Sequence, residues 1–291
     1  MTLEIPYKTE VIAPHLAKPG LRVMGPSSPR NYALPLLRSG AITRARFEAA
    51  GFILFENHRQ SPFVASHDFT VGGQQEQFLH YDTDPAEDEE YSSFDDEHAL
   101  WPEAASLRSD ELATPRLTQT AIGDSLDSFQ AIARLVGSGQ LELSGSKTPR
   151  PLQRIKNVIQ SWGLKKLLSK DRTDPLVNDL IEDLFGAHRV EEIFGDFPHV
   201  HQLVAAVNDV IYRHTWESHQ LLVFDNHDMA HSRVHPNEWT SSHPLPTGFG
   251  DIHHQYFQWV DGGLVPGQIQ REAEEIISIR EPNSSALPQT G

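Results

Sequence analysis

The sequence predicts a mainly β chain with helices. Apolar runs of strand length, bounded by glycine or polar residues, occur early in the chain at Gly51–Asn57 and late at Ile252–Val260. Between them, apolar residues recur at helical spacing from about residue 125 to 210, which predicts a helical insertion. A chain of 291 residues can bury a large core, and we interpret residues 1–291 as a single domain.

Local patterns give the elements in chain order. Prolines are dense over residues 1–40, which predicts an irregular start, and residues 272–291 are expected to be irregular as well. The predicted helices cover 41–50, 124–135 with Asp124 as a polar cap, about 153–169, 176–186 and 198–210. The predicted strands cover 51–57, 118–122, 212–216, 220–224 and 252–260.

Composition excludes several classes of function. Forty Asp and Glu against 24 Lys and Arg give a formal charge of −16, which argues against binding nucleic acid through the surface field. The absence of cysteine excludes disulfides, thiolate metal sites and a cysteine nucleophile. No apolar run reaches the length of a bilayer and the first residues lack a secretion pattern, so we expect a cytoplasmic protein without a membrane partner. The chain has sixteen histidines. Because it has no cysteine, any metal would be held by imidazole and carboxylate groups.

A His-x-Asp motif at His80 and Asp82 is the first candidate for metal chemistry. In a strand, residues i and i+2 point to the same face, so the imidazole and the carboxylate would be presented together. Asp84 is a rival carboxylate, because it also falls on that face. Such a motif alone is common by chance, and a hydrogen-bonded surface pair is the alternative.

The second candidate is an apolar strand that ends in Asp225-Asn226 and is followed by His231. Asp and Asn side chains bond nearby backbone N–H groups, so these two residues are predicted to serve a turn. Together with the first motif, His231 gives two imidazoles and one carboxylate, the facial triad that holds Fe(II) and leaves other positions open. His227 competes for the ligand role, and a buried structural histidine is the alternative for His231.

The order of these motifs resembles the taurine-dioxygenase and clavaminate-synthase-like superfamily of Fe(II)/2-oxoglutarate oxygenases. The distal segment, Trp-x-x-x-x-Leu-Leu-x-x-Asp-Asn-x-x-x-x-His, begins at Trp216. Gly51-Phe-Ile-Leu-Phe and the segment around Thr120 also resemble family segments, in order from about residue 45 to 260. The resemblance implies a double-stranded β-helix (jelly-roll) core with flanking helices, with Fe(II) on His80, Asp82 and His231.

The family also implies 2-oxoglutarate as a second cofactor, and here the sequence departs from the pattern. The arginine that usually holds the cosubstrate lies on a strand after the distal histidine, but the comparable segment, Ile252–Trp259, contains no arginine. By resemblance, Thr120 would contact the cosubstrate carboxylate, and Arg233 or His253 would replace the missing arginine. Alternatively, Thr120 is an ordinary strand threonine and Arg233 forms a surface ion pair. The alternative for His253 is an ordinary strand histidine.

The resemblance implies an enzyme, a non-haem iron dioxygenase that uses O2 to oxidise a C–H bond of a small molecule. The reaction would be hydroxylation, desaturation or cyclisation, in natural-product or amino-acid metabolism. Because the strand arginine is missing, one alternative is a facial-triad iron oxygenase or oxidase that does not use 2-oxoglutarate. A non-catalytic metal- or small-molecule-binding barrel is the other alternative. The substrate and the oligomeric state are left open by the sequence.

Overall fold

The computed structural model describes residues 6–57, 79, 81, 103–109, 119–141, 148–186, 203, 206–234 and 252–266. The strands in these ranges are β1 Lys8–Val11, β2 Leu21–Gly25, β3 Phe52–Asn57, β4 Ala104–Ser109, β5 Gln119–Asp124, β6 Ile211–Thr215, β7 Leu221–Asp225, β8 Met229–Val234, β9 Ile252–Val260 and β10 Gly263–Pro266. The helices are α1 Pro29–Arg38, α2 Arg44–Ala50, α3 Ser125–Gly137, α4 Arg150–Trp162, α5 Leu164–Leu168 and α6 Pro175–Phe185. None of these helices is long and apolar enough to cross a membrane.

Within these ranges the strands form two sheets. A seven-stranded sheet has the order β1-β2-β3-β7-β4-β9-β10, and a three-stranded sheet has the order β6-β5-β8. The strand pairs are antiparallel except β2 with β3. Because β6 and β8 belong to the small sheet and β7 to the large one, the chain passes between the sheets before and after β7. The second passage is the turn that leads to His231.

The two sheets face each other across an apolar core. Phe52 and Leu54 of β3 and Phe224 of β7 lie in one buried cluster with Ile122 of β5 and Met229 of β8. Side chains of successive strand residues point to opposite faces, so each strand gives this core every second residue. The inter-sheet core is the layer toward which β8 directs Met229 and, two residues later, His231.

Helices cover the outer faces of both sheets. Alternate residues of β3, Ile53 and Phe55, pack with α1 and α2, where Tyr32, Leu37 and Phe47 are fully buried. On the other side, alternate residues of β5 and β8 pack with the helical layer; the members of this cluster include Ala121, Phe129, Leu152, Ile181 and Ala230. Strand β3 is therefore buried on both faces, which explains the continuous apolar run in its sequence.

Most of the predicted elements that fall in the described ranges are present. The helix over 41–50 is α2, the strand over 252–260 is β9, and Asp124 caps α3 by accepting hydrogen bonds from the N–H groups of Leu126 and Asp127. The helix predicted near 153–169 is instead two helices, α4 and α5, because Gly163 adopts a positive φ of 82° between them. Helices α3 to α6 follow β5 and precede β6 in the chain.

The prediction of an irregular start was wrong for much of residues 1–40, which contain β1, β2 and α1. Pro29 occupies the first turn of α1, where a missing N–H costs nothing because that group has no partner within the helix. Pro35 lies inside the same helix. Residues 272–291 and most of the predicted helix 198–210 lie outside the described residues; within the latter, Asn208–Val210 is a short 3-10 helix.

The hydroxyl of Tyr32 should contribute measurably to stability. It accepts a hydrogen bond from the Gly25 N–H (3.1 Å) and lies within donating distance of the carbonyl oxygens of Glu56 (2.6 Å) and Val23 (3.0 Å). Tyr32→Phe should lower the free energy of unfolding by about 1–3 kcal/mol, because it leaves a buried N–H without its acceptor. Urea denaturation measures this value. Tyr7→Phe, a half-buried tyrosine packed on the same cluster, is the control, and an equal loss in both variants would contradict the assignment.

Candidate functional site

His231 lies between the two sheets. It is the third residue of β8, opposite Ile122 of β5, and its side chain is 3% exposed. Its ring centroid is 4.7 Å from that of Phe224 on β7, in the facing sheet. Its neighbour Ala230 lies in the cluster on the helical side instead. The imidazole therefore occupies the water-excluded layer between the two sheets.

The turn before β8 is built as the sequence predicts. Oδ1 of Asp225 accepts hydrogen bonds from the backbone N–H groups of His227 (3.0 Å) and Asp228 (3.3 Å). Burial and the neighbouring charge of Asp228 raise the pKa of Asp225. Asn226 is fully buried, and its N–H donates to the carbonyl of Glu103 at 3.2 Å. His227 is exposed in this turn, so it does not share the buried position of His231.

Two of the residues predicted to bind cosubstrate lie on adjacent strands. Thr120 of β5 is directly opposite Arg233 of β8, two residues beyond His231. Thr120 is 5% exposed, and its oxygen accepts a hydrogen bond of 2.8 Å from Nε1 of Trp216. Since the indole supplies a proton to this oxygen, the threonine O–H is left to donate to another acceptor. The side chain of Arg233 lies outside the described part of the structure.

His253, the third predicted cosubstrate residue, belongs to the other sheet. Its backbone is in β9, opposite Arg108 of β4, and its side chain lies outside the described part. The structure therefore brings Thr120 and Arg233 together on the small sheet and places the backbone of His253 on the large one.

The predicted ligands His80 and Asp82 lie outside the described residues, but the residues that flank His80 are described. Leu79 and Tyr81 are 0% and 1% exposed and belong to the same buried cluster as Ala230 of β8. The Tyr81 N–H donates to the carbonyl of Phe185 at the end of α6 (2.9 Å). Among the described residues, no group of three His, Asp or Glu is arranged to hold a metal ion.

A buried histidine that the sequence interpretation missed, His214, lies on β6 opposite Thr120. Its Nε2 is 3.0 Å from Oε1 of Gln220, which can only accept, so Nε2 carries the proton. The same Gln220 donates through Nε2 to Glu56 of β3 at 2.6 Å, so the contacts run from one sheet to the other. Burial lowers the pKa of His214 to about 4 and keeps the ring neutral at neutral pH. The alternation Tyr212-His214-Trp216 is the sequence signal that could have identified it.

A cluster of charged groups surrounds the turn before β8. The Asp228 carboxylate forms ion pairs with Lys18 and, at 2.8 Å, with Arg172. Arg172 also donates to Oγ of Ser125 at 2.9 Å, and its guanidinium carbon lies 5.9 Å from the ring centroid of Tyr81. Burial raises the pKa of Asp228, but the hydrogen bond and charge of Lys18 and the charge of Arg172 outweigh it, so the net pKa is lowered. The carboxylate is therefore ionised at neutral pH.

Comparisons with known proteins give structural likeness only. No family model and no curated protein sequence matches the chain. Similar solved structures include PvcB from Pseudomonas aeruginosa (TM-score 0.38, 10% identity, covering 91% of this chain and 97% of that one). Others are AAD-2 in complex with Mn(II) and N-oxalylglycine (0.35, 14%, 91% and 98%) and a taurine dioxygenase from Burkholderia xenovorans (0.31, 12%, 90% and 95%).

A further similar structure is that of PvcB, an Fe, alpha-ketoglutarate-dependent oxygenase. Its TM-score is 0.36 and its identity 12%, and the match covers 86% of this chain and 90% of that one. PvcB and the Burkholderia xenovorans protein are thus named as oxygenases.

The buried His214 should leave a signature in the pH dependence of folding. Its pKa is about 4 in the folded chain and about 6.5 when unfolded. As the pH falls, the unfolded chain therefore binds the proton first. The stabilising contribution of the neutral His214 is complete above about pH 6.5. Between about pH 6.5 and 4 the free energy of unfolding falls by up to about 3 kcal/mol.

Urea unfolding across this range, for the parent protein and His214→Gln, measures the effect. The difference in unfolding free energy between the two proteins should shrink as the pH falls, while the exposed His15→Gln variant should follow the parent. A difference that is the same at both ends of the range would contradict a neutral, buried His214.

Proposed function

We propose that this chain is a non-haem Fe(II)/2-oxoglutarate-dependent oxygenase that oxidises a C–H bond of a small molecule. The observation that carries the proposal is the position of His231, buried between the two sheets on the strand that pairs with the Thr120 strand. The two sheets face each other and have helices on their outer faces. This arrangement supports the finer proposal of a jelly-roll core with a helical insertion. The proposed iron ligands are His80, Asp82 and His231.

The donor set fits Fe(II). Two imidazoles and one carboxylate bind this ion and leave positions for O2 and for an organic chelator. The described residues contain one of the three donors, but the flanks of His80 support a shared site. Tyr81 lies in the buried cluster that includes Ala230, the residue before His231. Arg172 contacts both Tyr81 and the turn that precedes β8. One side chain thus joins Tyr81, the residue between the first two proposed ligands, to the turn before the third.

When bound, iron and 2-oxoglutarate would supply the oxidising chemistry with O2, and the protein groups would bind and orient. Packing against Phe224 restricts the ring of His231. The O–H of Thr120, oriented by the indole of Trp216, can donate to a carboxylate of the cosubstrate. The guanidinium of Arg233 would add a charge-assisted hydrogen bond to the same group. The apolar core between the sheets excludes water from the reaction.

One observation favours a second candidate, an iron oxygenase or oxidase that does not use 2-oxoglutarate. Strand β9, Ile252–Val260, is present as expected, yet it contains no arginine to hold the cosubstrate. In such an enzyme the substrate itself would chelate the metal and supply the electrons. The substrate, in natural-product or amino-acid metabolism, is proposed only as a small molecule in either case.

Replacement of His231 tests the metal site. The readout is an anaerobic titration of the Fe(II) protein with 2-oxoglutarate, followed by the weak visible charge-transfer band of the chelate. The parent protein and His227→Ala should develop the band, because His227 is exposed in the turn. His231→Ala should lose iron affinity by more than the roughly 10- to 100-fold that loss of an outer partner costs.

A normal band in His231→Ala would overturn the ligand assignment. Iron binding by the parent protein without any band would instead favour the candidate that does not use 2-oxoglutarate.

Replacement of Arg233 tests the cosubstrate site. Arg233→Ala should raise the 2-oxoglutarate concentration at half-saturation of the band by about 10- to 100-fold, since a hydrogen bond to a charged group is worth about 1.5–3 kcal/mol. Arg233→Lys keeps the charge and should recover part of the loss. If half-saturation does not change, Arg233 has no such role, and His253→Ala is then measured in the same titration.

A further inference from the structure

Arg172 makes contacts that join three separate segments of the chain. Its Nη1 lies 2.8 Å from Oδ1 of Asp228 and 2.9 Å from Oγ of Ser125. Its guanidinium carbon is 5.9 Å from the ring centroid of Tyr81, within the range of a cation–π interaction. Planar shape and several fixed donors allow a guanidinium to make such contacts together, which a lysine ammonium cannot reproduce.

The three partners of Arg172 share a relation to the proposed metal site. Asp228 lies in the turn three residues before His231, and Tyr81 stands between His80 and Asp82 in the sequence. The third partner, Ser125, follows directly on β5, the strand that pairs with β8. One side chain therefore contacts Tyr81, which lies between the first two proposed ligands in the sequence, and the turn before the third.

The loop that carries Arg172 is itself held in place. It connects α5 to α6, and Nε2 of Gln130 on α3 donates to the carbonyl oxygens of Leu168 (3.2 Å) and Lys170 (3.1 Å). Within the loop, Oδ1 of Asp171 accepts from the N–H of Thr173 at 3.0 Å. Because the loop is bonded to the helical layer, the direction of the Arg172 side chain is set by rigid elements and not by the site alone.

Lys18 shares Asp228 with Arg172 but joins a different segment. Its ammonium group binds the Asp228 carboxylate and lies 4.0 Å from Oδ2 of Asp124. Lys18 therefore holds the turn against the N-terminal segment and the end of β5. The contact of Arg172 with Tyr81 is what adds Tyr81 to this arrangement.

We propose that Arg172 is a positioning residue that holds Tyr81 against the turn before His231, and that metal affinity at the proposed site depends on these contacts. This inference rests on the proposed function, because it assigns Arg172 to the same metal site. A purely structural ion pair would stabilise the fold without changing metal affinity, and this difference separates the two roles.

The test compares Arg172→Gln with Arg154→Gln. Arg154 is the matched control, because it forms a 3.1 Å ion pair with the buried Asp183 and so links α4 to α6 in the same helical layer. The probe is Co(II) alone, titrated into the apo protein by calorimetry, together with the thermal midpoint of each apo protein. Both variants should lower the thermal midpoint, but Arg172→Gln alone should weaken Co(II) binding, by about 10- to 100-fold.

Hydrogen exchange of the apo proteins provides a readout that needs no metal. In Arg172→Gln, peptides that contain Tyr81 and peptides from β8 should exchange faster than in Arg154→Gln. Arg172→Lys keeps the charge beside Asp228 but not the planar contact with Tyr81, so its Co(II) affinity should fall nearly as far as that of Arg172→Gln.

Two results would overturn the proposal, and they differ. If the parent protein binds Co(II) and Arg172→Gln binds it as tightly as Arg154→Gln does, Arg172 has no positioning role. If the parent protein binds no Co(II), the metal site itself is wrong and the role of Arg172 in it falls as well.

Discussion

The passage of the chain between the sheets at Asp225–Asp228 is the constraint on which the proposed site depends. The Asp225 carboxylate accepts two backbone N–H groups of this turn, and the buried Asn226 N–H bonds to Glu103. These bonds fix where β8 starts against β5. Because side chains alternate along a strand, a shift of one residue would turn His231 into the helical layer and Ala230 into the inter-sheet core.

Local patterns in the sequence are sufficient for the elements that local interactions determine. Strand β9 has the predicted bounds, and Asp124 caps α3, because alternation and capping involve neighbours in the chain. The helical break at Gly163 depends on one backbone angle, and the regular elements among the early prolines depend on packing against β3. Neither is visible as a local pattern.

The candidate site was predictable only in part, for the same reason. Motifs predict His231 and Thr120 as site residues, and the structure puts these two residues on paired strands. The group formed by Lys18, Arg172 and Asp228 has no sequence signature, because its members are far apart in the chain and meet only after the helical layer packs on the small sheet. In the proposed site, Arg233, opposite Thr120, would supply the cation that β9 lacks.

The order of the large sheet has a consequence for self-association. Its two outermost described strands are β1 and β10. Strand β1 is exposed along its whole length and carries Lys8 and Glu10, which would lose hydration if a further strand covered them. Strand β10 ends in Pro266, which has no N–H to donate to a neighbour. Both outer described strands therefore carry features that disfavour the addition of a strand from another copy.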